Sequence, residues 1–198
     1  MFSDKFNQQV RLWMTGAANP FVRYKISANS ITTAGAVLAA ITAILIYKQS
    51  WWLATFFYFL SGACDMLDGA VARITHKSDI FGNFWDSVLD RFSDAIILLG
   101  IIFYAIEAVL EPHKTYIIFL SCMAMLGSFL VSYARAKAES LGIKGEVGFF
   151  PRPERWILIL IALITHRWLI TILWILTLGS WVTFFQRILF VYRQSNQK

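Results

Sequence analysis

Long apolar runs alternate with short polar punctuation along this chain, and the runs have the length that crosses a bilayer. The first extends from about Thr32 to Tyr47 behind Asn29-Ser30-Ile31-Thr32, whose side chains suit the capping of a helix. Lys48-Gln49-Ser50 predicts a tight turn. A second run opens at Trp51-Trp52, turns small and acidic from Gly62 to Gly69, and emerges near Arg73. The third begins around Ile80 to Gly82, carries Asp86, Asp90 and Asp94 in its first half, and is purely apolar from Ala95 to Tyr104. Three more follow, over Thr115 to Ala134, Trp156 to Thr165 and Trp168 to Tyr192.

A membrane-crossing helix takes roughly 20 apolar residues, so the pattern predicts an all-α polytopic membrane protein with six transmembrane helices. The fifth is short unless Arg155 and its neighbours snorkel, and the sixth is expected to tilt. Ahead of them, Phe2, Phe6, Val10, Trp13 and Met14 stand among Lys5, Arg11, Arg23 and Lys25, as in an amphipathic helix at the interface. The expected organisation is a juxtamembrane segment over 1–28 and a six-helix membrane domain over 29–198.

Composition agrees with lipid as part of the solvent. Of 198 residues, 58% are hydrophobic and only 15% charged, more apolar surface than a soluble core of this size hides. A second, soluble domain is not expected. Met1 to Asn7 carries no apolar run of the signal-peptide kind, so no cleaved leader is expected either. Cys64 and Cys122 lack any CxxC or Cys/His array and read as small buried hydrophobes.

The net charge of +6 raises nucleic acid as a partner, but topology explains the charge better. With both termini on one side, fourteen of the 18 Lys and Arg fall on that face, against Lys48, Lys114 and Arg167 opposite. The rich face is predicted to be cytoplasmic, in a multi-pass plasma-membrane protein that binds no nucleic acid. Trp51, Trp52, Trp156 and Trp168 fall near span ends, where interfacial aromatics are expected.

Six of the seven aspartates lie between residues 65 and 94, five of them inside segments otherwise apolar enough to span. One charge in a bilayer costs at least ~2.5 kcal/mol, so these groups must be partnered or hydrated. Asp65 and Asp68 are three apart, Asp86 and Asp90 four apart, so each pair projects from one helix face. Two such pairs on adjacent antiparallel helices can converge, and four carboxylates at one locus call for a cation. An all-oxygen donor set favours magnesium, manganese or calcium over zinc, and a two-metal centre is the natural occupant. The competing explanations are simple pairing with Arg73, Lys77 and Arg91, or an ion pathway. A divalent-cation transporter should carry polar residues in the other membrane half, and Ala95 to Ile102 has none.

Written out, the stretch is Asp65-x-x-Asp68-Gly69-x-x-Ala72-Arg73, eight residues, Gly82, three residues, Asp86, three residues, Asp90. This resembles the signature of the CDP-alcohol phosphotransferase family in every fixed position and spacing. The resemblance implies the family's six-span fold, its homodimer, and displacement at the β-phosphorus of a CDP-linked lipid with CMP leaving. It implies that Asp65, Asp68, Asp86 and Asp90 hold two divalent ions, Mg2+ or Mn2+, and that Asp90 also takes the proton of the attacking hydroxyl. Asp68, Gly69, Ala72, Arg73 and Gly82 would bind the CDP-lipid, either CDP-diacylglycerol or CDP-archaeol. Asn29 and Thr32 look like the family's Pro-Asn-x-x-Thr element, with Ala28 in place of the proline.

The remaining polar segments bear on the acceptor. Ser132 to Glu139 ends the fourth span, Arg152-Pro153-Glu154-Arg155 opens the fifth, and Gln186-Arg187 lies near the end of the sixth. Guanidinium groups converging from three helices would bind a phosphate dianion by bidentate, charge-assisted hydrogen bonds. These segments, and Asp90-Arg91-Phe92-Ser93-Asp94, are similar to those of the inositol-phosphate branch of the family. That likeness implies transfer of a phosphatidyl or archaetidyl group to inositol 1-phosphate, held by Arg135, Lys137, Arg152, Arg155 and Arg187. Arg135 stands where that branch often has lysine. The alternative within the family is phosphatidylglycerophosphate synthesis from glycerol 3-phosphate.

Overall fold

The computed structural model describes residues 16–75, 80–143 and 147–195, and among them every regular element is helical. Residues 16–23 form the described part of α1; the rest of the predicted amphipathic stretch lies outside the described residues. Then follow α2 (Ala28–Tyr47), α3 (Trp51–Thr75), α4 (Ile80–Ala108), α5 (His113–Ser140), α6 (Arg152–Ile164), a single 3-10 turn (His166–Trp168) and α7 (Leu169–Ser195).

Boundaries differ from the sequence expectation where capping decides them. Helix α2 starts at Ala28 because Ser27, and not the Asn29-Ser30 pair, is its cap: Ser27 Oγ accepts the Ser30 N–H at 3.1 Å. Helix α5 starts at His113 and gains a local lid from Glu111, whose carboxylate accepts from the Thr115 hydroxyl at 2.8 Å and from its N–H at 3.3 Å. Helix α6 begins at Arg152, with Pro153 in its first turn where a missing N–H costs nothing, and Glu154 beside the positive helix end.

Among the described residues, three segments are long and apolar enough to cross a membrane by themselves: α2, α5 and the run from His166 to Ser195. Aspartates dilute α3 and the first half of α4. Helix α6 has 13 residues, about 20 Å at 1.5 Å per residue, short of a ~30 Å hydrocarbon layer. Snorkelling does not extend it. Arg155 is 3% exposed and points into protein, where Nη1 donates to the Ser128 carbonyl of α5 at 3.4 Å.

Helix α2 packs against α3 and α4, α5 against both α4 and α7, and α6 bridges α3 and α7. Small residues allow the close crossings, as expected where dispersion rather than water drives helix association. A Cβ on Gly100 of α4 would lie 2.8 Å from the Ala43 Cα and carbonyl oxygen of α2. Neither backbone atom can yield, so Gly100→Ala should destabilise the α2–α4 pair by about 1–3 kcal/mol, read as a lower midpoint of thermal unfolding in detergent. An unchanged midpoint would mean that this crossing is looser than described.

The buried cluster runs through Ile97, Leu98 and Ile101 of α4, Leu120 and Ala124 of α5, Leu163 of α6 and Leu173 and Leu176 of α7. Large apolar side chains such as Phe56, Phe103, Phe119 and Trp174 are exposed on the outside of the bundle, as a lipid-facing surface requires. Cys122 is also exposed there, contrary to the buried position expected from the sequence, whereas Cys64 is half-buried. Trp52 and Trp168 remain at exposed span ends. Trp156 instead stacks inside on Tyr58 at 5.6 Å, over Gly62, where any side chain would meet the indole. Trp51 stacks on His166 at 5.4 Å, and that histidine remains exposed.

Candidate active site

Helices α3 and α4 run side by side of α2, and their acidic faces meet. The i, i+3 spacing puts Asp65 and Asp68 on one face of α3, and Asp86 on α4 faces them. One carboxylate oxygen from each of the three lies within 4.8 Å of the others. Asp68 is 6% exposed and its Oδ2 accepts from the Thr32 hydroxyl of α2 at 2.6 Å. Thr32 therefore orients Asp68, leaving Oδ1 for another partner. Close carboxylate oxygens with no His or Cys among them form the hard donor set that suits Mg2+ or Mn2+. On that chemistry, the residues present fit a divalent centre.

Asp90, one turn beyond Asp86, is joined to Asp65 of this trio by Arg152 at the start of α6. The guanidinium forks between two helices: Nη1 donates to Asp65 Oδ1 at 3.0 Å and Oδ2 at 3.2 Å, and Nη2 pairs with Asp90 Oδ1 at 2.8 Å. Among the described residues the ion-pair partner of Asp65 and Asp90 is thus Arg152, whereas Arg91 Nη1 donates to the Ser87 carbonyl and Arg73 is exposed. Lys77 lies outside the described residues.

Two adjoining cavities share Asp90, Asp94 and Arg152 as their common wall. The smaller, about 30 Å³, lies among Thr32, Asp65, Asp68, Tyr58 and Trp156 and holds little more than a water. The larger, about 330 Å³, opens between α4, α5, α6 and α7. Arg91, Arg135, Arg152, Arg155 and Arg187 line it together with Ser87, Ser132 and Glu139. Five guanidinium groups against three carboxylates give its walls a positive balance.

These arginines are anchored rather than loose. Arg187 is 6% exposed and spends Nε on the Val147 carbonyl at 2.8 Å and Nη1 on the Val131 carbonyl. The same loop is tied down by Phe150 N–H to Thr183 Oγ1 and Phe149 N–H to Gln186 Oε1, both 3.0 Å. Arg155 pairs with Asp94 at 3.4 Å, and its buried Nε has no acceptor among the described residues. Arg135 makes a 2.7 Å ion pair with Glu139 at the rim. Lys137 is exposed and stands about 200° round α5 from Arg135 at 100° per residue, so the fold does not bring it to the cavity.

Gly69, Ala72 and Arg73 continue α3 past Asp68, with Arg73 Nη1 only 3.5 Å from where a Cβ on Gly69 would sit. Asn29 lies in the first turn of α2, its carbonyl accepting from Thr33, whose hydroxyl in turn accepts from Trp85 Nε1 of α4 at 3.0 Å. Gly82 is in the first turn of α4. Sequence reading did not single out Asp94, Glu139 or Tyr58 as site residues. The signal for Asp94 was present, since 86, 90 and 94 form one i, i+4 row.

A model of the family described as CDP-alcohol phosphatidyltransferase matches residues 25–189. The chain is 35% identical over 164 residues to the archaetidylinositol phosphate synthase of Pyrococcus horikoshii, covering 82% of either protein. Its fold matches the crystal structure of Mycobacterium tuberculosis phosphatidylinositol phosphate synthase in complex with manganese and citrate, with a TM-score of 0.82 and 25% identity, over 90% of this chain and 88% of that one. The structure of the same enzyme with CDP-DAG bound gives the same TM-score and identity, over 90% and 93% of the two chains.

Proposed function

Because the chain belongs to the CDP-alcohol phosphatidyltransferase family, we propose that it transfers a phosphatidyl or archaetidyl group from CDP-diacylglycerol or CDP-archaeol to inositol 1-phosphate, releasing CMP. The observation that carries the acceptor is the arginine-lined cavity that shares Asp90, Asp94 and Arg152 with the smaller cavity beside Asp65 and Asp68. A neutral alcohol would bring no anion to buried Arg187, whose described bonds are to the Val131 and Val147 carbonyls, and would leave the cavity's excess of guanidinium over carboxylate unbalanced, which is costly.

In this reading Asp65, Asp68, Asp86 and Asp90 hold two divalent ions, Mg2+ or Mn2+. When bound, the metal supplies positive charge that neutralises the donor's pyrophosphate as the bond to CMP breaks. The protein does the rest. Thr32 fixes Asp68, and Arg152 ties Asp65 to Asp90 across the helix pair. Arg135, Arg155 and Arg187, joined by Arg152, hold the acceptor phosphate. Asp90, at the wall between the two cavities, takes the proton of the attacking hydroxyl as its oxygen bonds to the donor's β-phosphorus. The proton then passes to water and CMP departs. Asn29, Thr32, Asp68, Gly69, Ala72, Arg73 and Gly82 border the CDP moiety, and Lys137, outside the cavity, would act on the acceptor phosphate only through long-range positive potential.

The membrane domain over 29–198 would use all six helices from α2 to α7 as spans, behind an interfacial helix within 1–28. The carboxylate centre and both termini would face the cytoplasm at the plasma membrane, in a homodimer surrounded by lipid. Purified protein with CDP-diacylglycerol and Mg2+ is expected to release CMP with inositol 1-phosphate and not with free inositol or serine. CMP release with glycerol 3-phosphate alone would sink the acceptor assignment.

A further inference from the structure

The proposed chemistry leaves two carboxylates of the arginine-lined cavity without a task, Asp94 and Glu139, and Glu139 is paired with Arg135 at the rim; Asp94 is the inner one. It lies one turn beyond Asp90 on the same face of α4 and lines both cavities. Its side chain is 18% accessible; Oδ2 is held by Arg155 Nη2 at 3.4 Å, and Oδ1 has no partner among the described residues.

A free carboxylate oxygen inside an anion site is a contradiction if only the anion is considered. A phosphate dianion repels it, so of the guanidinium groups proposed to hold the phosphate, Arg135 of α5 and Arg187 of α7 take the larger share while Arg155 is engaged by Asp94. What a carboxylate accepts is a hydrogen bond, and the donors that a phosphorylated alcohol offers are its other hydroxyl groups. Asp90 and Asp94 are separated by four residues, about 6 Å along the helix. A ring polyol can place its attacking hydroxyl at Asp90 and another across the ring at Asp94. The adjacent hydroxyls of a three-carbon acceptor are too close together to reach both. Arg155 serves the same arrangement: it is 3% exposed, so its pairing with Asp94 fixes the carboxylate's orientation.

We infer that Asp94 is a specificity-determining residue that accepts a hydrogen bond from a ring hydroxyl of the phosphorylated acceptor, selecting a cyclic polyol phosphate over glycerol 3-phosphate. This rests on the acceptor reading above and deepens it.

The test is a matched set of acceptors, inositol 1-phosphate and its monodeoxy analogues, assayed for CMP release with wild-type protein, Asp94→Ala and Asp94→Asn. Wild type should lose about ten- to a hundredfold in kcat/KM with the analogue that lacks the bound hydroxyl, as expected for a hydrogen bond to a charged group. Asp94→Ala should lose as much with the parent acceptor and nothing further with that analogue, because hydroxyl and carboxylate act as a pair. A purely structural role would lower all acceptors alike and leave the discrimination intact, and that result would overturn the inference. So would a wild type indifferent to every ring hydroxyl. Asp94→Asn keeps the shape and an oxygen for Arg155, so it carries the same comparison if the alanine variant fails to fold. Mn2+ binding followed by EPR should be unchanged in both variants. Wild-type activity with glycerol 3-phosphate and none with inositol 1-phosphate would overturn the acceptor reading itself, a failure visible before any substitution is made.

Discussion

Asp90→Asn is expected to lower CMP release about 10²–10⁴-fold, the range by which a positioned general base accelerates a proton-transfer step. The substitution is nearly isosteric, and the amide oxygen can still accept from Arg152 Nη2, which now lies 2.8 Å from Asp90 Oδ1. The tie between α4 and α6 therefore survives, and circular dichroism and thermal unfolding should change little. What disappears is the ability to take a proton at the wall shared by the two cavities. Turnover measured with saturating donor and acceptor separates this from weakened binding. A variant with the wild-type rate would remove Asp90 as base.

Stripping divalent metal with EDTA should bring turnover to background, and adding back Mg2+ or Mn2+ should restore it. The reason is in the site: Asp65, Asp68 and Asp86 bring oxygens within 4.8 Å of each other, and like charges about 4 Å apart repel by roughly 4 kcal/mol at an effective dielectric constant of 20. Two of these groups are half-exposed and the third is buried, so Arg152 alone does not balance them. Titration of the stripped protein with Mn2+, followed by EPR, is expected to reach two ions per chain, and Asp68→Asn should weaken that binding. Full activity in excess chelator would end the metal-dependent reading.

Much of this site could be read along the chain because helical periodicity is local. Spacings of three and four residues put Asp65 with Asp68 and Asp86 with Asp90 on shared faces whatever the rest of the molecule does. The cost of such charges in an apolar segment then required that the faces meet. The motif spacing carried the family assignment, which the match over residues 25–189 bears out. Helix ends were less legible, since whether Ser27 or Ser30 caps α2 depends on which backbone N–H each hydroxyl reaches.

Arg152 and Arg155 mark where sequence reasoning stopped. Both were grouped as phosphate ligands at a helix start, which sequence position alone cannot subdivide. The fold sends Arg152 to Asp65, 87 residues away, and to Asp90, while Arg155 turns inward to Asp94 and the Ser128 carbonyl. Likewise, Arg187 reads as a free cation in sequence but clamps the Val131 and Val147 carbonyls in the bundle.

By itself, then, the sequence determined the helical membrane character, the paired acidic faces, the demand for a cation and the family, all of which follow from periodicity, desolvation cost and motif spacing. Only the tertiary structure decided that the Asp90 and Asp94 row forms the wall between two cavities, that Arg152 and not a neighbouring basic residue bridges α3 and α4, and that Lys137 stays outside. Those outcomes depend on which helices pack together and at what rotation, and packing of that kind is a property of the whole bundle, set by close crossings such as Gly100 against Ala43.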